Sequence, residues 1–201
     1  MIKISVFCSG NGTNLQAIIN AIKSKKLKSV KIALVVSDNP SAYALVRAKK
    51  AGIKTVVVEP LKFSTKSGFE KEIIKHLKKE KVQLIVLSGF MRIVGKDILS
   101  EYKNRILNIH PALLPSFKGA HGIKDAFDYG AKVTGVTVHF VDERTDHGPI
   151  ILQEAVPVKK DDTLKSLEER IHKVEHKLYY KAIQLFASGR LKIAGREVEI
   201  I

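Results

Sequence analysis

Short apolar runs rich in Val, Ile and Leu alternate with amphipathic segments along the first half of the chain. Such runs are typical of strands buried on both faces of a parallel sheet, and the segments between them have helical periodicity. The predicted strands are residues 2–9, 30–37, 54–58, 83–88 and 105–110, and the predicted helices are residues 15–24, 42–51, 66–79 and 96–102. The alternation predicts βαβ units, and therefore an α/β fold with a doubly wound, mainly parallel, Rossmann-like sheet.

The second half of the chain predicts a short helix at 123–129, strands at 133–141 and 150–158, and a long C-terminal helix at 164–188. In the long helix, apolar residues recur every three or four positions and form one stripe. Asp162 or Thr163 can cap its start and Gly189 its end. Glu175 lies at the edge of the stripe, where a carboxylate needs a basic partner or a ligand. With 201 residues and no repeat or linker, the sequence predicts a single domain spanning residues 1–201.

The charge balance favours anionic ligands. The chain carries 35 Lys and Arg against 20 Asp and Glu, which gives a formal net charge of +15. A field of this sign attracts nucleic acids, phosphorylated metabolites or polyanionic cofactors. The basic residues are spread over helix faces, however, and no basic arm or base-stacking motif is present. We therefore interpret the charge as a solvated surface and expect no nucleic-acid partner.

The sequence gives no sign of a membrane segment or a disulfide. No apolar run reaches the roughly 18 residues of a membrane-spanning helix. The first residues have the pattern of a strand and lack the features of a signal peptide. Cys8 is the only cysteine, so it fits a reducing compartment and is expected to be a small buried hydrophobe. We expect a cytoplasmic protein without a membrane partner.

Asn108 and His110 close the strand predicted at 105–110, and Pro111 follows them. Residues two apart on a strand point to the same face, so an amide donor and an imidazole would lie side by side. The carboxyl end of a buried strand is where α/β proteins bind ligands. The alternative is that both side chains only satisfy backbone groups of the following loop.

The first predicted strand leads into a glycine loop, Ser9-Gly10-Asn11-Gly12-Thr13-Asn14-Leu15, that opens a helix. Leu15 stands where a dinucleotide fingerprint has its third glycine, and the Gly-Lys-Ser/Thr of a nucleoside-triphosphate loop is absent. A single phosphate bound by Gly12, Thr13 and Asn14 fits better. A tight turn without a ligand is the alternative. Asp38 could contact a ribose, although Asn39-Pro40 equally indicates a turn.

Two further segments carry titratable groups. The turn at 142–149 links two predicted strands, so one of its acids can be a turn former, while another could orient His110 and favour its charged form. The spacing His172-x-x-Glu175-His176 matches that of one zinc-peptidase class. A catalytic zinc site needs a third ligand, which is not evident, so we expect no metal.

Together these segments resemble the phosphoribosylglycinamide formyltransferases, folate-dependent enzymes of purine synthesis. The similarity runs nearly end to end and includes residues 9–15, 89–93, 108–111, 113–119 and 137–141, Asp146 with 148–153, and Glu175-His176. The Asn-x-His and Leu-Leu-Pro portions are shared by the wider formyl-folate family. The glycine loop and the lack of an appended domain narrow the match to this member.

The resemblance implies a role for each segment. Residues 1–110 would form a phosphate-binding βαβ half, and residues 111–201 would supply the active-site loop, the folate-side strands and the C-terminal helix. The catalytic residues would be Asn108, His110 and Asp146. The ribonucleotide would be bound by Gly12, Thr13 and Asn14 at its phosphate and by Glu175 at its amine. The folate would be bound by Lys66, Met91, Arg92, Ile93, Val94 and Asn108, with backbone groups reading the pterin edge.

The implied reaction is direct attack by the amine of 5-phosphoribosylglycinamide on the formyl carbon of 10-formyltetrahydrofolate, without a covalent enzyme intermediate or a metal. Asn108 and protonated His110 would donate to the formyl oxygen, and Asp146 would keep His110 cationic. His121 would help to bind or close over ligand. Two positions depart from the family pattern: Lys66 replaces arginine, which puts a bidentate clamp in doubt, and His147 replaces a usually small residue.

Three other functions remain open from the sequence. A formyl-folate hydrolase would use the same catalytic trio but needs no ribonucleotide site. A methionyl-tRNA formyltransferase would suit the positive charge but carries an additional C-terminal domain, whereas only a short tail follows residue 188 here. A nucleic-acid-binding protein without catalysis would bind with a steep salt dependence. A small-molecule enzyme of this kind is expected to be a monomer or homodimer.

Overall fold

The computed structural model describes residues 1–201 and contains nine β-strands and six α-helices. The strands are Ile2–Phe7 (β1), Val30–Ser37 (β2), Thr55–Val57 (β3), Leu84–Leu87 (β4), Ile106–His110 (β5), Val133–Phe140 (β6), Ile150–Pro157 (β7), Leu191–Ala194 (β8) and Glu197–Ile200 (β9). The helices are Thr13–Lys23 (α1), Tyr43–Lys50 (α2), Lys66–Lys79 (α3), Lys96–Glu101 (α4), Gly122–Asp128 (α5) and Leu164–Ala187 (α6). A 3-10 turn, Pro60–Lys62, precedes α3.

Seven strands form a mostly parallel sheet in the order β3-β2-β1-β4-β5-β6-β7, and β8 and β9 form a separate two-stranded sheet. The predicted α/β class, with a mainly parallel sheet and a long C-terminal helix, is confirmed. The chain divides into two compact units, Met1–Leu107 and Asn108–Ile201. The predicted division at residue 110 lies three residues beyond this boundary. The single domain stays a prediction.

In the first unit, β1 lies between β2 and β4 and pairs with both in parallel. Its residues Ile4, Val6 and Phe7 are fully buried, as a strand covered on both faces requires. The register with β2 shifts between Ile4 and Ser5, where Ser5 Oγ donates to the Leu34 carbonyl at 3.1 Å. The hydroxyl thus remains hydrogen-bonded at a position without solvent.

A buried acid closes the start of α4 in the same unit. Glu70 of α3 is 2% exposed, and its carboxylate accepts hydrogen bonds from the backbone N–H groups of Gly95 (2.5 Å) and Asp97 (3.2 Å). The first N–H groups of a helix have no partner within the helix, and a carboxylate is a favourable acceptor for them. A Cβ added at Gly95 would lie 2.4 Å from Glu70 Oε1, so a side chain there would force the Glu70 carboxylate to move.

The second unit is built on the antiparallel pair β6 and β7 and on α6. Thr163 caps α6: its side chain accepts from Ser166 N–H, and the Ser166 side chain accepts from the Thr163 N–H. This reciprocal pair is a capping box. Asp162, the other predicted cap, instead pairs with Arg170. Ser188 ends the helix, and Gly189 follows with φ +69°.

The main correction to the predicted elements concerns the tail after α6. The sequence predicts only a short tail there, but residues 191–200 form the hairpin β8–β9. Its strands are four residues long and mostly exposed, so they lack the buried face that makes a strand recognisable. The other boundaries differ from prediction by two residues or fewer, for example at β1, which ends at Phe7 and not at Ser9.

Candidate active site

His110 occupies the end of β5 with a side chain that is 4% exposed. Its Nδ1 lies 3.4 Å from Asp146 Oδ2, and its Nε2 lies 2.7 Å from the Phe117 carbonyl oxygen. Both neighbours can only accept hydrogen bonds, so each ring nitrogen of His110 faces an acceptor oxygen.

Asp146 lies in the turn between β6 and β7, in the left-handed region at φ +48°. Aspartate tolerates this conformation better than most residues. Its carboxylate accepts from Gly119 N–H at 2.8 Å. Burial alone would raise the pKa of this carboxyl, but the His139 side chain, the Gly119 N–H and the His110 imidazole together lower it. Asp146 is thus favoured as an anion in the folded protein.

Asn108 presents its amide on the same face of β5. Its Nδ2 lies 3.2 Å from His139 Nε2 and 3.4 Å from Asp146 Oδ1. His139 is 2% exposed, and its Nδ1 lies 2.7 Å from the Phe140 carbonyl oxygen, which fixes the ring. The structure thus brings Asn108, His110 and Asp146 together and adds a second buried imidazole. Their catalytic roles stay predictions.

The loop after β5 is anchored by side-chain hydrogen bonds from Thr137 and Gln153. The Thr137 hydroxyl donates to the Ala112 carbonyl at 2.7 Å and accepts from Leu114 N–H at 3.0 Å. Gln153 of β7 donates to the Leu114 carbonyl at 2.9 Å. The Leu114–Pro115 peptide bond is cis. These contacts fix the course of the chain toward Phe117, whose carbonyl reaches His110.

A close approach of backbone to imidazole follows in α5. A Cβ added at Gly122 would lie 2.9 Å from the Phe117 oxygen and 3.2 Å from His110 Nε2. A side chain at position 122 would therefore collide with the Phe117 carbonyl and crowd the His110 ring. His121, immediately before it, is exposed and makes no side-chain cap of α5.

Sequence reasoning missed His139 and Thr137 as members of this cluster. They are two residues apart on β6, so they share a face. The same spacing marks Asn108 and His110 on β5. In β6, however, Val136, Val138 and Phe140 give the segment the pattern of an ordinary buried strand, which hides the polar pair.

The glycine loop of the first unit is fixed by α2. Ala44 N–H donates to the Gly10 carbonyl, and the Arg47 guanidinium binds Asn11 through its carbonyl (2.9 Å) and its side-chain oxygen (2.7 Å). Gly12 has φ +74° and begins α1 without a side-chain cap. A Cβ there would lie 2.7 Å from Ala44 Cβ. The loop is therefore packed closely against α2, and its binding of a phosphate stays a prediction.

The predicted folate-side residues border a groove of about 590 Å³ in the first unit. Lys66, Met91, Arg92 and Ile93 contribute to its walls, whereas Val94 is buried. Met91 and Ile93 are 71% and 67% exposed, so their apolar side chains are accessible to a ring.

Asp38 binds residues of this segment, so its carboxylate oxygens are not free to contact a ribose. It accepts from Ser9 Oγ at 2.6 Å and pairs with the Arg92 Nε at 2.9 Å. Ser9 Oγ in turn accepts from Met91 N–H at 2.8 Å. The Met91 N–H is therefore engaged within the protein, so the expected reading of a pterin edge by backbone groups cannot use it in this conformation.

Glu175 is buried in α6, and its Oε2 lies 2.7 Å from His172 Nδ1. The hydrogen bond to Glu175 raises the pKa of His172, whereas burial lowers the pKa of His176. His172 thus supplies the basic partner that the sequence demanded. No three His, Cys, Asp or Glu side chains are grouped closely enough to hold a metal ion.

The structure also gives the surroundings of Cys8 and of the turn at 142–149. Burial raises the pKa of the Cys8 thiol to about 12, which fits a small apolar role. His147 lies with Nδ1 2.7 Å from Asp142 Oδ2. Asp142 also accepts from Arg144 N–H at 3.0 Å, so it is the turn former of this segment. None of the helices has the length and apolar content that a bilayer crossing requires.

The formyl transferase family matches residues 2–183 of the chain. The chain belongs to the formyl transferase family. This formyl transferase is 44% identical over 184 residues to the phosphoribosylglycinamide formyltransferase of Bacillus subtilis (strain 168), an alignment that covers 92% of this chain and 94% of that protein.

Two further relatives extend the likeness. The trifunctional purine biosynthetic protein adenosine-3 of Gallus gallus is 44% identical over 192 residues, which cover 96% of this chain but 19% of that protein. The crystal structure of glycinamide ribonucleotide transformylase 1 from Symbiobacterium toebii has a TM-score of 0.97 at 45% identity, covering 100% of this chain and 94% of that one.

Proposed function

We propose that this formyl transferase transfers the formyl group of 10-formyltetrahydrofolate to the amine of 5-phosphoribosylglycinamide. The products are formylglycinamide ribonucleotide and tetrahydrofolate, in de novo purine (IMP) biosynthesis. The observation that carries the proposal is the cluster in which Asn108 Nδ2 and His110 Nδ1 each lie 3.4 Å from an Asp146 carboxylate oxygen, in a chain of this family. The names of the relatives support the choice of acceptor.

Asn108 and His110 stabilise the charge that develops on the formyl oxygen when the amine attacks. The Phe117 carbonyl oxygen, 2.7 Å from His110 Nε2, supports this assignment because it has the hydrogen-bonding character of a formyl oxygen. Substrate would replace this internal acceptor at Nε2. A well-aimed donor to a developing oxyanion is worth about 3 kcal/mol.

Asp146 orients His110 through Nδ1 and balances its positive charge. The proton lost by the attacking amine must reach the departing folate nitrogen, through His110 or an ordered water. The folate supplies the one-carbon unit. The chain itself contributes hydrogen-bond donors, orientation and exclusion of water, so no covalent enzyme intermediate and no metal is part of the scheme.

The remaining roles divide between ribonucleotide and folate. Gly12, Thr13 and Asn14 bind the phosphate at the start of α1, which has no side-chain cap and no acid in its first turn. Glu175 binds the glycinamide amine. The folate is held by the groove residues Lys66, Met91, Arg92 and Ile93, with Val94 and Asn108, and the exposed apolar side chains of Met91 and Ile93 support this choice.

We further propose that the enzyme is a cytoplasmic monomer or homodimer whose substrates are small molecules and not nucleic acids. The assay that tests the proposed function follows formyl transfer spectroscopically, with and without 5-phosphoribosylglycinamide, on metal-stripped protein. Turnover that requires the ribonucleotide is expected. Equal turnover without it would identify a formyl-folate hydrolase, and no turnover with either would overturn formyl transfer as the activity.

A further inference from the structure

The tip of the C-terminal hairpin reaches the turn that carries Asp146. Strands β8 and β9 pair up to Ala194 and Glu197, so the connecting turn consists of Gly195 and Arg196. Gly195 has φ +62° at the first turn position, which suits the twist of a two-residue hairpin. This tight turn projects Arg196 from the end of the hairpin.

Arg196 contacts His147 in two ways. Its Nη2 donates to the His147 carbonyl oxygen at 2.7 Å. Its Nη1 lies 3.3 Å from both His147 Nδ1 and His147 Nε2. An atom at this distance from both nitrogens in the ring plane would collide with Cε1 between them, so the guanidinium lies against the face of the imidazole. The contact therefore fixes both the backbone and the ring of His147.

The rest of the turn is restrained as well. Asp142 Oδ2 lies 2.7 Å from His147 Nδ1, and a Cβ added at Gly148 would lie 1.8 Å from the Phe140 carbonyl oxygen. Residues 142–148 are thus held at Asp142, at His147 and at Gly148. Asp146, next to His147, keeps a left-handed backbone at φ +48° within this frame.

We propose that Arg196 is a positioning residue that holds the turn at 142–148, and thereby the Asp146 carboxylate, against His110. The inference rests on the proposed function, because it gives Asp146 a role in turnover. Asp146 lies 3.4 Å from His110 Nδ1 and 2.8 Å from Gly119 N. Displacing a catalytic group by about 1 Å can lower turnover about 100-fold, so a residue that fixes the neighbouring backbone affects kcat without touching substrate.

The test compares Arg196→Gln with Lys192→Gln. Both substitutions remove one positive charge from the same hairpin, but Lys192 pairs only with the exposed Glu199 at 3.1 Å. We expect Arg196→Gln to lower kcat about tenfold, with both KM values within about twofold of wild type. Lys192→Gln should match the wild type. Equal kcat values for the two variants would overturn the proposal.

Arg196 could also support the fold without positioning Asp146. To separate these two roles, the effect of Arg196→Gln on kcat is measured again in the Asp146→Asn variant. If Arg196 acts through Asp146, the second substitution lowers kcat no further; an equal loss in both backgrounds would overturn the inference. Should Arg196→Gln fail to fold, His147→Ala removes the stacked ring and serves the same comparison. Wild-type turnover by Asp146→Asn would instead overturn the catalytic role of Asp146, which keeps the two failures distinguishable.

Discussion

The glycine loop of the first unit and the acid–imidazole cluster of the second are assembled in different ways. The loop is a continuous segment whose shape depends on backbone: Gly12 at φ +74° approaches Ala44 where no Cβ fits. The cluster joins Asn108, Gly119, His139 and Asp146 around His110, and these residues come from β5, the loop after it, β6 and the turn after β6. We therefore call the glycine loop a backbone site, which substitutions that add side-chain atoms should disrupt. The cluster is a side-chain site, which substitutions that remove side-chain atoms should disrupt.

The largest effect is expected where the cluster loses a donor. Asn108→Ala or His110→Ala should each lower kcat about 100- to 1,000-fold, since each removes one donor to the developing oxyanion. Steady-state formyl transfer, with far-ultraviolet circular dichroism as a check of folding, measures this. Asp161→Asn, a change at an exposed acid of the same unit, provides the control. Near-wild-type turnover by a folded Asn108→Ala enzyme would contradict the proposal that the Asn108 side chain stabilises the oxyanion.

The comparison also explains what the sequence could predict. Continuous signals gave α3 at 66–79 and β2 at 30–37, both of which match the structure residue for residue. The i, i+2 pair on β5 singled out Asn108 and His110 for the same reason. Glu70 could not be found this way, because an acid on an amphipathic helix resembles a solvated one until α4 is placed against it.

Non-local contacts limit the prediction of the site even more strongly. The residue pattern alone left open which acid of the turn at 142–149 serves His110, and the family resemblance was needed to choose Asp146. The folded turn shows the physical difference: Asp142 accepts from Arg144 N–H, while Asp146 Oδ2 lies 3.4 Å from His110 Nδ1. Arg196 lay outside any expectation, since its partner His147 is 49 residues away.

The next largest effect is expected in the backbone site. Gly12→Ala should raise KM for 5-phosphoribosylglycinamide about tenfold, with a smaller change in kcat, because its Cβ meets Ala44 at 2.7 Å and the left-handed backbone disfavours alanine. Gly10→Ala is the matched control: the added Cβ finds nothing within 4 Å. Titration of initial rates with ribonucleotide distinguishes them. Equal KM values for the two variants would mean that this loop does not bind the phosphate through its backbone.

The starts of α1 and α6 also differ in whether backbone or side chains form them. Helix α1 has no side-chain cap, whereas Thr163 and Ser166 close α6 with a capping box. Thr163→Ala should lower the free energy of unfolding by about 1 kcal/mol and leave kcat unchanged. Chemical denaturation measures the loss, and Thr163→Ser, which keeps the hydroxyl, should restore most of it. A loss of turnover without a loss of stability would contradict a purely structural cap.

The smallest expected effect is a pH dependence of stability that belongs to the cluster alone. The pKa of Asp146 is lower in the folded protein than its ordinary value, because the His139 side chain, the Gly119 N–H and His110 outweigh the opposing effect of burial. Its carboxylate therefore contributes stability that is fully present above the unfolded pKa of about 4 and is lost as the pH falls through the folded pKa.

The difference in unfolding free energy between wild type and Asp146→Asn should be constant near neutral pH and shrink below about pH 4. Denaturant titrations at a series of pH values test this, and Gly12→Ala, which removes no titrating group, should differ from wild type by the same amount at every pH. If the difference in unfolding free energy between wild type and Asp146→Asn did not change down to acid pH, the neighbours of Asp146 would not stabilise its charged form. The two sites would then not differ in their electrostatics.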